Sequence, residues 1–62
     1  MIFEKGQEVK TPLGYGRVAF QRMKPPEYRE AEAVSVVLND RVAIKGYQGT
    51  MFAADSVVKR GG

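Results

Sequence analysis

Pro12, Gly14 and Gly16 stand close together between two short segments of alternating polarity, 7–11 and 17–23. Proline withholds a backbone donor, and glycine reaches conformations that a Cβ resists, so the chain bends here instead of running on as a helix. Both flanks carry the two-residue period of strands. In the first, Gln7 to Thr11, Val9 is the inward residue. In the second, Arg17 to Met23, strict alternation predicts that Val18 and Phe20 share the buried face while Arg17, Ala19 and Gln21 look outward. The same alternation puts Arg22 in phase with Phe20 and opposite Arg17.

Lys24-Pro25-Pro26 ends that strand, because consecutive prolines cannot donate to a ladder. The segment Glu27 to Glu32 suits a loop with one helical turn, anchored by Tyr28, being too short for an independent helix. From Ala33 to Leu38 the alternation is clearest, with Val34, Val36 and Leu38 on one face and Ser35 and Val37 on the other. Asn39-Asp40 reads as a turn, and Arg41 to Lys45, with Val42 and Ile44 alternating, as the returning strand of a hairpin. Gly46 and Gly49 bracket Tyr47-Gln48 ahead of a strand from Thr50 to Ala53 that turns Phe52 to the core. A helical turn over Ala53 to Ser56 and a short last strand at Val57-Val58 follow. Met1 to Lys5 is an extended lead-in with Ile2 or Phe3 tucked inward and the rest mobile, and residues 60–62 fray. The predicted fold is all-β, a small five-stranded barrel with a helical turn before its last strand. Closure covers the edges and the apolar face that an open sheet of this length exposes.

A chain of 62 residues forms one domain, 1–62, and buries only about 60% of its unfolded surface. It has no cysteine and no histidine, so neither a disulfide nor an imidazole-ligated metal can staple it. Thiol and imidazole catalysis are excluded on the same ground, and the expectation is no catalytic residue, no metal and no cofactor. The N-terminal residues lack the apolar run of a signal peptide or membrane span, which predicts a cytoplasmic protein without a membrane partner. Apolar side chains left over after the core is filled, Ala19, Met23, Val37 and Met51, mark a face for a homo-oligomer.

The residues Gly6-Gln7-Glu8-Val9, the bend Gly14-x-Gly16-x-Val18 and the closing segment Phe52 to Val57 together resemble the SH3-like small barrels, which include Tudor-type and KOW-type modules. The resemblance spans nearly the whole chain and implies fold rather than function. The architecture is also similar to the plasmid-type dihydrofolate reductases, which assemble around a central pore. In that family a Val-Gln-Ile-Tyr motif lines the pore. The matching positions here are Gly49, Thr50, Met51 and Phe52, where the glutamine and the tyrosine hydroxyl are missing. A pore-forming reductase would therefore lack the groups that orient pterin and nicotinamide, and the chain is expected not to be an enzyme.

Ten basic against seven acidic residues give a net charge of +3, a mild excess whose distribution matters more than its sum. Arg17, Arg22 and Lys24 form a basic stripe with Tyr15 as an aromatic platform, the pattern of single-strand nucleic-acid binders. Alternation interrupts the stripe at Arg22, which either emerges at the rim or pairs with a carboxylate of the Glu27 to Glu32 loop. Tyr15 either stacks on a ligand or packs over its own bend. Tyr28 beside Pro25-Pro26 either forms a ridge for an extended peptide or pins its loop. Tyr47 and Gln48 complete the candidate contacts. The leading expectation is a non-enzymatic adaptor module that acts through protein contacts, itself included, with nucleic-acid binding as the alternative.

Overall fold

The computed structural model describes residues 2–60; the mobility expected of Met1 and the fraying expected of Gly61 and Gly62 concern residues outside them. Five antiparallel strands form one sheet: β1 (Glu8–Thr11), β2 (Gly14–Met23), β3 (Ala31–Leu38), β4 (Thr50–Ala53) and β5 (Val58–Lys59), in the order β4-β3-β2-β1-β5. A 3-10 turn, Asn39–Arg41, follows β3, and a second, Ala54–Ser56, precedes β5 as the sequence predicts. This is a small all-β domain, and its topology is compatible with a small barrel.

The core is built from Phe3, Val9, Val18, Val34, Val36, Leu38, Ala54 and Val57, with Phe52 and Tyr47 half-buried against it. Val34, Val36 and Leu38 are fully buried along one face of β3, as their alternation requires. Phe3, not Ile2, closes one side: its amide donates to Gln21 Oε1 at 2.9 Å, and the amide of Gly6 donates to the carbonyl of Val18 at 2.7 Å.

β1 and β2 meet in a hairpin whose Thr11↔Gly14 pair encloses Pro12-Leu13. Thr11 Oγ1 donates to the carbonyl of Gly14 at 2.7 Å, and Gly14 takes a φ of 124° that side chains rarely adopt. Gly16 is needed for a different reason. It pairs with Val9 on one side and Leu38 on the other, and a Cβ at this point would lie against the carbonyl oxygen of Val37 and 2.6 Å from Val36 Cγ1.

Two parts of the alternation reading are corrected. Phe20 is not in the core: it is 58% exposed. The β2–β3 register runs Val18↔Val36 and then Phe20↔Ser35, so Ala19 is an extra residue on β2, a bulge that reverses the phase of everything after it. Ala19, Gln21 and Met23 are consequently half-buried, and Ala19 and Met23 do not form the outward oligomer face assigned to them. A second irregularity, between Arg22↔Ala33 and Met23↔Ala31, places Glu32 as an extra residue on β3.

The segment Arg41 to Lys45 is not a strand. The chain leaves the 3-10 turn into a series of turns and bends in which Val42 and Ile44 are exposed, and the strand that pairs with β3 is Thr50–Ala53. Tyr47 accounts for the difference. Its hydroxyl accepts from the amide of Leu38 at 3.2 Å, donates to the carbonyl of Val36 at 3.3 Å and lies 2.8 Å from Thr50 Oγ1. The edge of β3 beyond the Val36↔Thr50 pair thus finds its partner in a side chain instead of a backbone.

Two stability tests follow from this packing. Gly16→Ala lowers the unfolding free energy by about 1–3 kcal/mol through overpacking, read as a lower urea midpoint at unchanged slope. Tyr47→Phe leaves the amide of Leu38 without its partner and costs about 1–3 kcal/mol. Hydrogen exchange at that amide should accelerate with it; unaltered protection at Leu38 would show that the hydroxyl does not hold the edge.

Candidate functional site

Directly paired residues in an antiparallel sheet share a face, so the register defines what the outer surface presents. With Val9, Val18, Val34, Val36 and Leu38 inward, the opposite face carries four ranks. Val58, Lys10 and Tyr15 form the first, and Glu8, Arg17 and Val37 the second. Phe20, Ser35 and Met51 form the third, and Arg22, Ala33 and Ala53 the fourth. Arg17, Phe20 and Arg22 therefore lie on one face of β2. Simple alternation separates the two arginines; the bulge at Ala19 unites them.

Phe20 stands near the middle of this face. Across β3 it faces Ser35, which is buried between Phe20 and Met51 although it points away from the core. The rank is apolar, since Phe20 and Met51 are 58% and 50% exposed. Val37, Ala33 and Ala53 extend it on both sides.

The charges are arranged around that rank. Arg17 donates through Nη1 to the carbonyl of Gly6 at 3.0 Å, which fixes its direction while leaving it at the surface. Arg22 is exposed at the other end of the face, as its emergence at the rim requires, and neither of the ion pairs formed by Glu8 and Glu27 involves it. Tyr15 is partly exposed on the outer face and is flanked there by two cations. The guanidinium of Arg60 lies 4.5 Å from its ring centroid and the ammonium of Lys10 lies 5.9 Å away, both within cation–π range. Arg60 is held there by Glu8, through a 2.7 Å ion pair with its carboxylate and a 3.0 Å bond from its own amide to the Glu8 carbonyl. Among the described residues, Lys10, Arg17, Arg22 and Arg60 share the paired ranks of this face with the carboxylate of Glu8.

The other candidates lie elsewhere. Lys24 follows β2 and closes the loop to Glu30, its amide donating to the Glu30 carbonyl at 2.7 Å. Tyr28, in that loop, is 62% exposed with φ 57°, so it does not pin the loop to the sheet. A shallow groove of about 370 Å³ runs beside it, lined by Lys24, Pro25, Pro26, Glu27, Arg29 and Glu30. The Tyr47 hydroxyl serves the β3 edge, while Gln48 is exposed next to it.

The residues that alternation missed are Phe20, Lys10 and Arg60. No local signal marks a bulge at Ala19, and Arg60 comes to Tyr15 only through the pairing of β5 with β1. Chemically, the face offers a flat aromatic surface, fixed cations and little competing negative charge. Among the described residues no group of three or more histidine, cysteine or acidic side chains is placed to hold a metal ion, and no helix is long and apolar enough to cross a membrane. Comparison of the chain with protein-family models, with curated proteins and with solved structures gives no match in any of the three.

Proposed function

We propose that the chain is a non-catalytic binding module, built on an SH3-like barrel, that holds single-stranded nucleic acid on the outer face of its sheet. The strand order, with a 3-10 turn directly ahead of β5, supports the barrel. The observation that carries the function is the bulge at Ala19, which sets Phe20 between Arg17 and Arg22 on one exposed surface. Single-strand binders combine cations that follow the backbone with aromatic rings on which bases stack, and each stacked base contributes about 1–3 kcal/mol. In this reading Phe20 is the open platform. Tyr15, already covered in part by Arg60, orders the cations at the far end.

A second reading, contact with another protein through the same face, is favoured by the apolar rank Phe20–Ser35–Met51, because a soluble surface seldom exposes a large contiguous apolar patch. Salt separates the two, since phosphate contacts release counterions and an apolar interface does not.

Fluorescence anisotropy with labelled oligo-dT and a mixed-sequence RNA, titrated from low to moderate salt, tests the proposal. The expected result is binding that weakens steeply with salt. Arg17→Gln and Arg22→Gln should each flatten the salt slope by about 0.7 units, the value for one phosphate contact on a single strand. Phe20→Ala should weaken binding by roughly 1–3 kcal/mol while leaving the fold intact. Absence of binding to both probes at low salt overturns the proposal and leaves the protein-contact reading.

A further inference from the structure

The sheet ends in two edges of opposite character. At one end β5 is only two residues long, Val58–Lys59, and is followed by Arg60, so it is short and charged in the way that protected edges are. At the other end β4, Thr50–Ala53, is longer and carries no charge and no proline. Its register with β3 is regular from Ala33↔Ala53 to Val36↔Thr50, so no bulge turns the edge aside. Met51 is half-exposed on its outer face, Phe52 only half-buried on its inner face, and the loop leading into it exposes Val42 and Ile44.

We infer that β4 is a self-pairing edge, and that two copies of the chain join their β4 strands antiparallel about a two-fold axis to make one continuous sheet. An edge strand presents alternate backbone N–H and C=O groups to any extended chain, and on β4 one of them, the carbonyl of Ala53, already accepts from Ser56 Oγ at 2.8 Å, which leaves the groups of Met51 as the centre of the open edge. A second copy is the partner that suits this one, because an uncharged strand meeting itself brings no like charges together and an isologous contact closes without leaving either β4 edge free, so that only the short, charged β5 edges remain. The register is restricted as well. A two-fold axis perpendicular to the sheet keeps outer face with outer face, and paired residues share a face, so the axis must pass beside a residue and not between two. Either Met51 opposes the partner's Met51, with Thr50 opposite the partner's Phe52, or Phe52 opposes the partner's Phe52, with Met51 opposite the partner's Ala53. Both arrangements cover Met51 and Phe52 with apolar atoms. They also set the two outer faces side by side, so that the apolar ranks of the two copies run on into one another. The inference concerns the edge alone and does not depend on what the outer face binds.

Sedimentation equilibrium at micromolar to high micromolar concentration reads the assembly directly, with a concentration-dependent dimer as the expected result. Met51→Lys sets two cations near the axis at an exposed position and should raise the dimer dissociation constant at least tenfold, while Val58→Lys on the opposite edge leaves it unchanged. The absence of native cysteine permits a geometric test: Met51→Cys, or Met51→Cys combined with Ala53→Cys, oxidised with copper phenanthroline, should cross-link between chains far faster than Val58→Cys. A wild type that sediments as a monomer throughout overturns the inference. So does a dimer that Met51→Lys leaves intact, or one that cross-links through Val58→Cys and not through β4.

Discussion

One residue of excess length on β2 governs the surface of this protein. Ala19 has no partner on β3, and the pleat beyond it is therefore reversed relative to the pleat before it. The inner face loses a phenylalanine and receives Gln21, whose side-chain oxygen accepts the amide of Phe3. The outer face gains that phenylalanine between two arginines. The lead-in residue Phe3 is the counterpart of the exchange: it occupies the core alongside a polar amide on β2, and the amide is satisfied by the backbone of the segment that brings Phe3 in.

The legible part of the fold is where a strand is buried on one side and regular along its length. Val34, Val36 and Leu38 satisfy both conditions, and alternation identifies their face without reference to any other strand. The 3-10 turn at Ala54–Ser56 is readable from its short polar composition next to an apolar pair. Phe20 and the 41–45 segment were not legible, for two separate reasons. A bulge is a property of two strands taken together, and nothing in Arg17 to Met23 by itself distinguishes a continuous pleat from an interrupted one. Val42 and Ile44 have the alternation of a strand, but the backbone groups that such a strand would use on β3 are taken by the hydroxyl of Tyr47, at Val36 and Leu38, and by β4 from Val36 to Ala33. Tertiary competition decided the matter, and local pattern does not report it.

The same distinction holds at the candidate site. Arg17, Arg22 and Tyr15 were visible as residue types suited to a polyanion, yet their common orientation depends on the bulge and their partners on strand order. Arg60 is far from Tyr15 in sequence and reaches it because β5 lies against β1, with Glu8 binding both the backbone and the side chain of Arg60. Glu8 thus acts both as an anion on the face and as its organiser. It removes some positive charge and in return fixes the direction of a guanidinium that otherwise moves freely.

The hydroxyl of Tyr47 has a consequence for how this fold tolerates change. It clamps the β3 edge and the first residue of β4 at once, and the span between Arg41 and Tyr47 is itself tied at Ile44, whose amide donates to the carbonyl of Arg41 at 3.0 Å and whose carbonyl accepts from the amide of Tyr47 at 3.1 Å. The side chains of Val42 and Ile44 are exposed and free to vary, and extra length there costs little closure entropy, about 0.6 kcal/mol per doubling of a flexible loop, as long as the turn that delivers Tyr47 is kept. The molecule is in that respect a frame with a display segment, in which side chains at Val42 and Ile44 change what the loop presents while the hydroxyl of Tyr47 keeps the sheet edge closed.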